Sequence, residues 1–98
     1  MNFTAFVYIL TNARHTTLYV GMTTDLVTRL WEHRTKQNKT SFTARYNVDK
    51  LVYYESFETV IEAIDREKYI KGKTRGWKEA LIKSMNPEWQ DLSQVFSH

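Results

Sequence analysis

The chain has 98 residues, 42% of them hydrophobic and 26% charged, with a net charge of +3; this balance suits one small folded domain and excludes a disordered chain. The longest unbroken apolar run, Ala5–Leu10, is six residues, against the roughly 20 that a membrane-spanning helix needs. Cysteine is absent, which excludes a disulfide framework and a thiolate metal site; with no basic or cleavable leader in Met1-Asn2-Phe3-Thr4-Ala5, a reducing, cytoplasmic setting is expected.

Phe6–Leu10 is β-branched and aromatic, and predicts a central strand buried on both faces. Thr11–His15 supplies turn residues and Thr17–Gly21 resumes strand character, a hairpin with a loop of about five or six residues. Thr24 is the expected N-cap of a first helix, with Asp25 in its first turn and Leu26, Val27, Leu30 and Trp31 at helical spacing. Gln37–Asn47 is polar with Phe42 and Tyr46 embedded, and reads as a loop or one short helical turn. Lys50–Phe57 is a third strand. Thr59 and Glu62 form a capping box for a second helix to about Lys71, with Gly72 just past its end. Thr74 caps a last helix through about Lys83, which Asn86-Pro87 terminates, leaving a tail with Trp89, Asp91 and Leu92. The order β-β-α-β-α-α, without linker or repeat, gives a single α+β domain over residues 1–98: a three-stranded antiparallel sheet flanked by helices.

Charge is unevenly spread. Arg29, Arg34, Lys36, Lys39 and Arg45 face only Glu32 in their stretch of chain, and Arg66, Lys68, Lys71, Lys73, Arg75, Lys78 and Lys83 face Glu67 and Glu79. Asp49–Asp65 is instead acid-rich. Two basic blocks that converge in space make a phosphate-binding face; otherwise they are a solvated surface.

Several polar residues break the apolar pattern. At about 100° per residue Val60, Ile61, Ala63, Ile64 and Ile70 share one arc of the second helix, and Glu67 falls inside it. A carboxylate there is either salt-bridged or a ligand at a cleft. Arg29 and His33 lie one turn apart beside the Leu26/Leu30 stripe, either shielding the core with their stems or reaching over the sheet edge. Tyr8 and Tyr19 fall in adjacent hairpin strands as core residues or as site residues. Gly21 allows a close approach or simply ends its strand.

Together Val7-Tyr8-Ile9, Leu18-Tyr19-Val20-Gly21, Arg29 and Glu67 resemble the GIY-YIG nuclease superfamily, from Phe6 to about Leu92. The Phe42-Thr43, Tyr46-Asn47, Leu51–Glu55 and Asn86–Trp89 segments are similar to its small stand-alone bacterial members. The resemblance implies metal-dependent hydrolysis of phosphodiester bonds in DNA, directed by structure or backbone rather than by sequence, with RNA also open. It implies Tyr8 and Tyr19 as paired active-site tyrosines, Arg29 as the arginine that meets the phosphate, His33 as their helical neighbour and Glu67 as the one ligand of a single Mg²⁺ or Mn²⁺. Either Tyr19 or His33 would be the base. Gly21, Arg34, Lys71 and Asn86 are the expected substrate contacts, Asn86 by similarity to a late asparagine of some members.

In place of the basic residue that several active members carry after the second motif stand Met22, Thr23 and Thr24. With the basic blocks, this supports an alternative, a domain that binds nucleic acid without cutting it. Trp89 and Phe96, in a tail that reads as exposed, support another, a domain that docks on a protein partner. Oligomeric state is left open.

Overall fold

The computed structural model describes residues 3–96. Strand β1 (Ala5–Thr11) lies at the centre of a three-stranded sheet, between β2 (Leu18–Thr23) and β3 (Lys50–Phe57), antiparallel to both. The hairpin loop between β1 and β2 is tied by the Asn12 side chain, whose Oδ1 accepts from the Thr16 and Thr17 amides at 2.8 and 3.2 Å. The central position of β1 follows from its composition, since a strand apolar on both faces needs cover on both.

Alternation along β1 separates two cores. Ala5, Val7 and Ile9 face one way and join Val20, Val52, Ala63, Ile70 and Ile82. Tyr8 and Leu10 face the other way and join Leu26, Leu30, Val48 and Leu51. Helices α3 (Val60–Lys71) and α4 (Arg75–Met85) therefore cover the first face, while α1 (Leu26–Thr35), a single-turn α2 (Phe42–Arg45) and a 3₁₀ turn over Leu92–Phe96 cover the second.

Local signals placed the helices, with four corrections. Asp25, not Thr24, is the N-cap of α1: its carboxylate accepts from the Thr28 amide at 3.1 Å and the Thr28 hydroxyl at 2.7 Å. An N-cap carboxylate stabilises orphan amides directly, which a first-turn position does not. Thr59 and Thr74 cap α3 and α4 as expected. Gly72 closes α3 with right-handed geometry (φ −79°), so no left-handed glycine is needed there. The apolar arc of α3 is narrower than its spacing implied: Ala63 and Ile70 are fully buried, but Ile61 is 72% exposed and Ile64 also reaches solvent. The tail is packed rather than exposed, with Trp89 stacked on His15 and Phe96 edge-on to Tyr54, at 4.9 and 5.1 Å between ring centroids.

A register shift between β1 and β3 sets Ile9 opposite Tyr53 but Leu10 opposite Leu51, leaving Val52 as a bulge. Its carbonyl accepts from Asn86 Nδ2 at 3.1 Å, while the same amide bonds the Gln90 backbone through both its nitrogen and its oxygen. Asp91 Oδ1 accepts from the Leu51 amide at 3.1 Å. The chain after α4 is thus fastened along β3.

Candidate active site

The site starts from the hairpin. Tyr8 lies opposite Gly21, and Tyr19, two residues from Gly21, shares its face. A Cβ at position 21 would stand 2.5 Å from Tyr8 Oη and 2.9 Å from Tyr19 Cε2. The glycine is therefore there to let the Tyr8 phenol cross the neighbouring strand. Among the expected substrate contacts Gly21 is itself buried, and the two phenols fill the space above it.

Helix α1 brings His33 onto this pair. Tyr8 Oη is 3.2 Å from His33 Nε2, and His33 Nδ1 is 2.7 Å from Thr43 Oγ1. The His33 ring lies 6.0 Å from that of Tyr8 and 5.7 Å from that of Tyr19. Burial and the charge of Arg29 hold the His33 pKa below its ordinary value, so the imidazole is neutral at pH 7. Burial, with Tyr19, pushes the Tyr8 phenol well above the usual tyrosine range; Arg29 opposes the rise, and Glu67 and Glu32 add to it. Tyr8 is therefore a protonated donor.

Beyond Tyr19 and His33 a cleft of about 410 Å³ opens between α1 and α2, lined also by Arg29, Glu32, Lys36, Asn38, Phe42 and Thr43. Arg29 thus faces the cleft, with its side chain half exposed and Nη1 3.6 Å from Glu32 Oε1. Ion pairs this exposed are weak, so an arriving phosphate can replace Glu32 as the partner.

Glu67 comes from the other layer of the molecule. It sits on the stripe of α3 that carries Ala63 and Ile70, both in the core on the far side of the sheet from Tyr8, and it does not line the cleft. Its charge nonetheless acts on the Tyr8 phenol. Neighbouring Arg66 sets the rotation of α3: its Nε and Nη2 donate to Glu55 on β3 at 3.0 and 2.9 Å, and the Tyr53 hydroxyl donates to the same carboxylate.

A divalent cation fits Glu67 on one ground in particular. Its carboxylate, 22% exposed, makes no hydrogen bond among the described residues and has only Lys71 Nζ near it, at 3.5 Å. One carboxylate with a single weak ion pair suits a hard ion that keeps most of its waters, and no cluster of three acidic or imidazole ligands occurs among the described residues.

The remaining sequence-derived contacts divide. Lys71 is adjacent to Glu67. Arg34 is exposed, on the flank of the Leu26/Leu30 stripe away from Arg29, and is not among the residues lining the cleft. Asn86 is 5% exposed, and both its amide hydrogens are spent on Val52 and Gln90, so it has no donor left for a substrate. The second basic block is largely engaged as well: Arg66 with Glu55, Arg75 with Glu79 and the His15 and Thr16 carbonyls, Lys73 over the Tyr69 ring. Sequence reasoning missed Thr43, Ser41 and Glu32. Ser41 caps α2 by accepting from the Ala44 amide at 3.2 Å, and a serine opening a short turn was the available signal.

A hairpin carrying two facing tyrosines, an arginine and a histidine on the next helix, and a glutamate on a later one define a recognised class. The profile described as the GIY-YIG catalytic domain matches residues 4–80, and the chain belongs to the GIY-YIG family. It is similar to the UPF0213 protein SAG0778 of Streptococcus agalactiae, 39% identical over 84 residues that cover 86% of this chain and 93% of that one. Similarity to the UPF0213 protein HQ_3675A of Haloquadratum walsbyi, 35% identical, covers 96% of this chain and 99% of that protein. The solution structure of the UPF0213 protein BH0048 from Bacillus halodurans shares the fold, with a TM-score of 0.57 at 24% identity over 96% of this chain and 98% of that one.

Proposed function

We propose that the chain is a divalent-cation-dependent endonuclease that hydrolyses phosphodiester bonds in DNA, guided by the backbone rather than by base sequence. The observation that carries this reading is the Tyr8 phenol: bonded to a neutral His33, crossed over Gly21 beside Tyr19, and under the opposed charges of Arg29 and Glu67. Arg29 presents its guanidinium to the cleft, where it would hold the scissile phosphate and offset charge that builds on its oxygens as water attacks phosphorus and the ester bond breaks. Glu67 would hold Mg²⁺ or Mn²⁺, which supplies Lewis-acid stabilisation of the same charge. Tyr19 lines the cleft and orients the reactants. Of the two candidate bases we favour His33, which lines the cleft with a neutral ring and accepts from Tyr8 through Nε2.

Purified protein incubated with supercoiled plasmid and Mg²⁺ or Mn²⁺ tests the reading. Nicking is expected, and Glu67→Ala and Arg29→Ala are each expected to slow it by about a hundredfold or more while circular dichroism stays unchanged. Cleavage that survives both substitutions would overturn the residue assignments. Salt-sensitive binding without cleavage under either ion would favour the non-cutting alternative, which Met22 in place of a basic residue supports.

A further inference from the structure

The Tyr8–His33 pair has a third member that the reading above does not use. Thr43 is 4% exposed, and its Oγ1 lies 2.7 Å from His33 Nδ1 and 3.4 Å from Ser41 Oγ. It belongs to a helix of one turn, Phe42–Arg45, too short to be stable alone. That turn is held by the Ser41 cap and by the Val48 amide, which donates to the Thr43 carbonyl at 2.8 Å. The backbone is thus fastened on both sides of a β-branched side chain, which has little rotamer freedom.

A neutral imidazole has one donor and one acceptor nitrogen, so its two bonds must run in the same direction. If Nε2 carried the proton, it would donate to Tyr8 Oη. Tyr8 is 2% exposed as a residue and its hydroxyl has no partner but His33 among the described residues, so its own proton would then lie without an acceptor. In the opposite direction Tyr8, His33 and Thr43 each have an acceptor in reach: Tyr8 donates to Nε2, Nδ1–H donates to Thr43 Oγ1, and the Thr43 hydroxyl is free to turn to Ser41 Oγ at 3.4 Å.

We infer that Thr43 is a positioning residue that fixes His33 in the Nδ1–H tautomer, so that Nε2 faces Tyr8 as a proton acceptor. This rests on the proposed nuclease function for its purpose, but the tautomer stands on hydrogen bonding alone. Thr43→Val removes the hydroxyl at nearly constant shape, and Thr43→Ser keeps it.

Long-range proton–nitrogen NMR of the metal-free protein reads the tautomer directly. Wild type and Thr43→Ser are expected to carry the His33 proton on Nδ1, and Thr43→Val to move it to Nε2. In plasmid nicking Thr43→Val is expected to fall about ten- to a hundredfold, with Thr43→Ser restoring most of the rate. A wild-type proton on Nε2 overturns the inference whether or not the valine variant folds, as does a valine variant that keeps the Nδ1–H form. Wild-type protein that shows Nδ1–H yet cuts no plasmid under either ion supports the assigned tautomer and removes the nuclease reading instead.

Discussion

At the scale of single residues, the site depends on what is absent at position 21 as much as on what is present at 8, 19 and 33. With a Cβ 2.5 Å from Tyr8 Oη, Gly21→Ala must displace both phenols. It is expected to lower stability by about 1–3 kcal/mol in urea unfolding and to slow cleavage more than stability alone accounts for. His33 makes a second residue-scale prediction. Its folded pKa lies below the ordinary 6.5, so the unfolded chain takes the proton more readily. Stability is then greatest above the unfolded value and falls as pH drops through about 6.5, levelling off below the folded value. Urea midpoints measured between about pH 7.5 and pH 5 should drop less in His33→Gln than in wild type. The nicking rate should show an acid limb with an apparent pKa under the ordinary histidine value, because only the neutral ring can accept a proton.

Elements carry the site by being fastened at few points. The bulge at Val52 turns one β3 carbonyl toward Asn86, whose amide also ties Gln90, so one buried side chain joins the end of α4, the tail and β3. Asn86→Ala leaves two carbonyls and one amide without partners and is expected to cost about 2 kcal/mol. Cleavage per folded molecule should change little, since Asn86 reaches no cleft residue; a large fall in rate at full stability would restore it to the substrate contacts. The Arg66 clamp on Glu55 works similarly for α3. It sets the rotation that leaves Glu67 beside Ala63 and Ile70, with the weak Lys71 ion pair as its partner among the described residues.

At the scale of the whole molecule, a run of exposed or part-exposed cations follows α1 and α2. Arg29 and Lys36 line the cleft, and Arg34, Lys39 and Arg45 are exposed on the same α1–α2 stretch, whereas much of the second basic block is bound internally. Binding of a labelled duplex, followed by anisotropy, is expected to weaken with salt at a log–log slope of about −4, and Lys36→Ala to reduce that slope by about one. Lys73→Ala, which removes a cation held over Tyr69 and Trp77, should leave the slope unchanged.

Strand composition, capping threonines and the Asn86-Pro87 stop are properties of neighbouring residues. They were therefore readable before any coordinates, whereas the grouping of Tyr8, Tyr19, Arg29 and His33 was legible only through the resemblance to the GIY-YIG superfamily, since each residue alone also fits a core or surface role. Only packing decided the rest. That Glu67 approaches from the opposite layer depends on how α3 is rotated by a clamp eleven residues back in the chain. That Asn86 is spent on a bulge depends on a strand register no local pattern encodes. That Thr43 meets His33 depends on a one-turn helix too short to leave a period in the sequence. Hydrogen-bond partners far apart in the chain are chosen by the shape of the folded core, and that shape exists only once all its layers are in place.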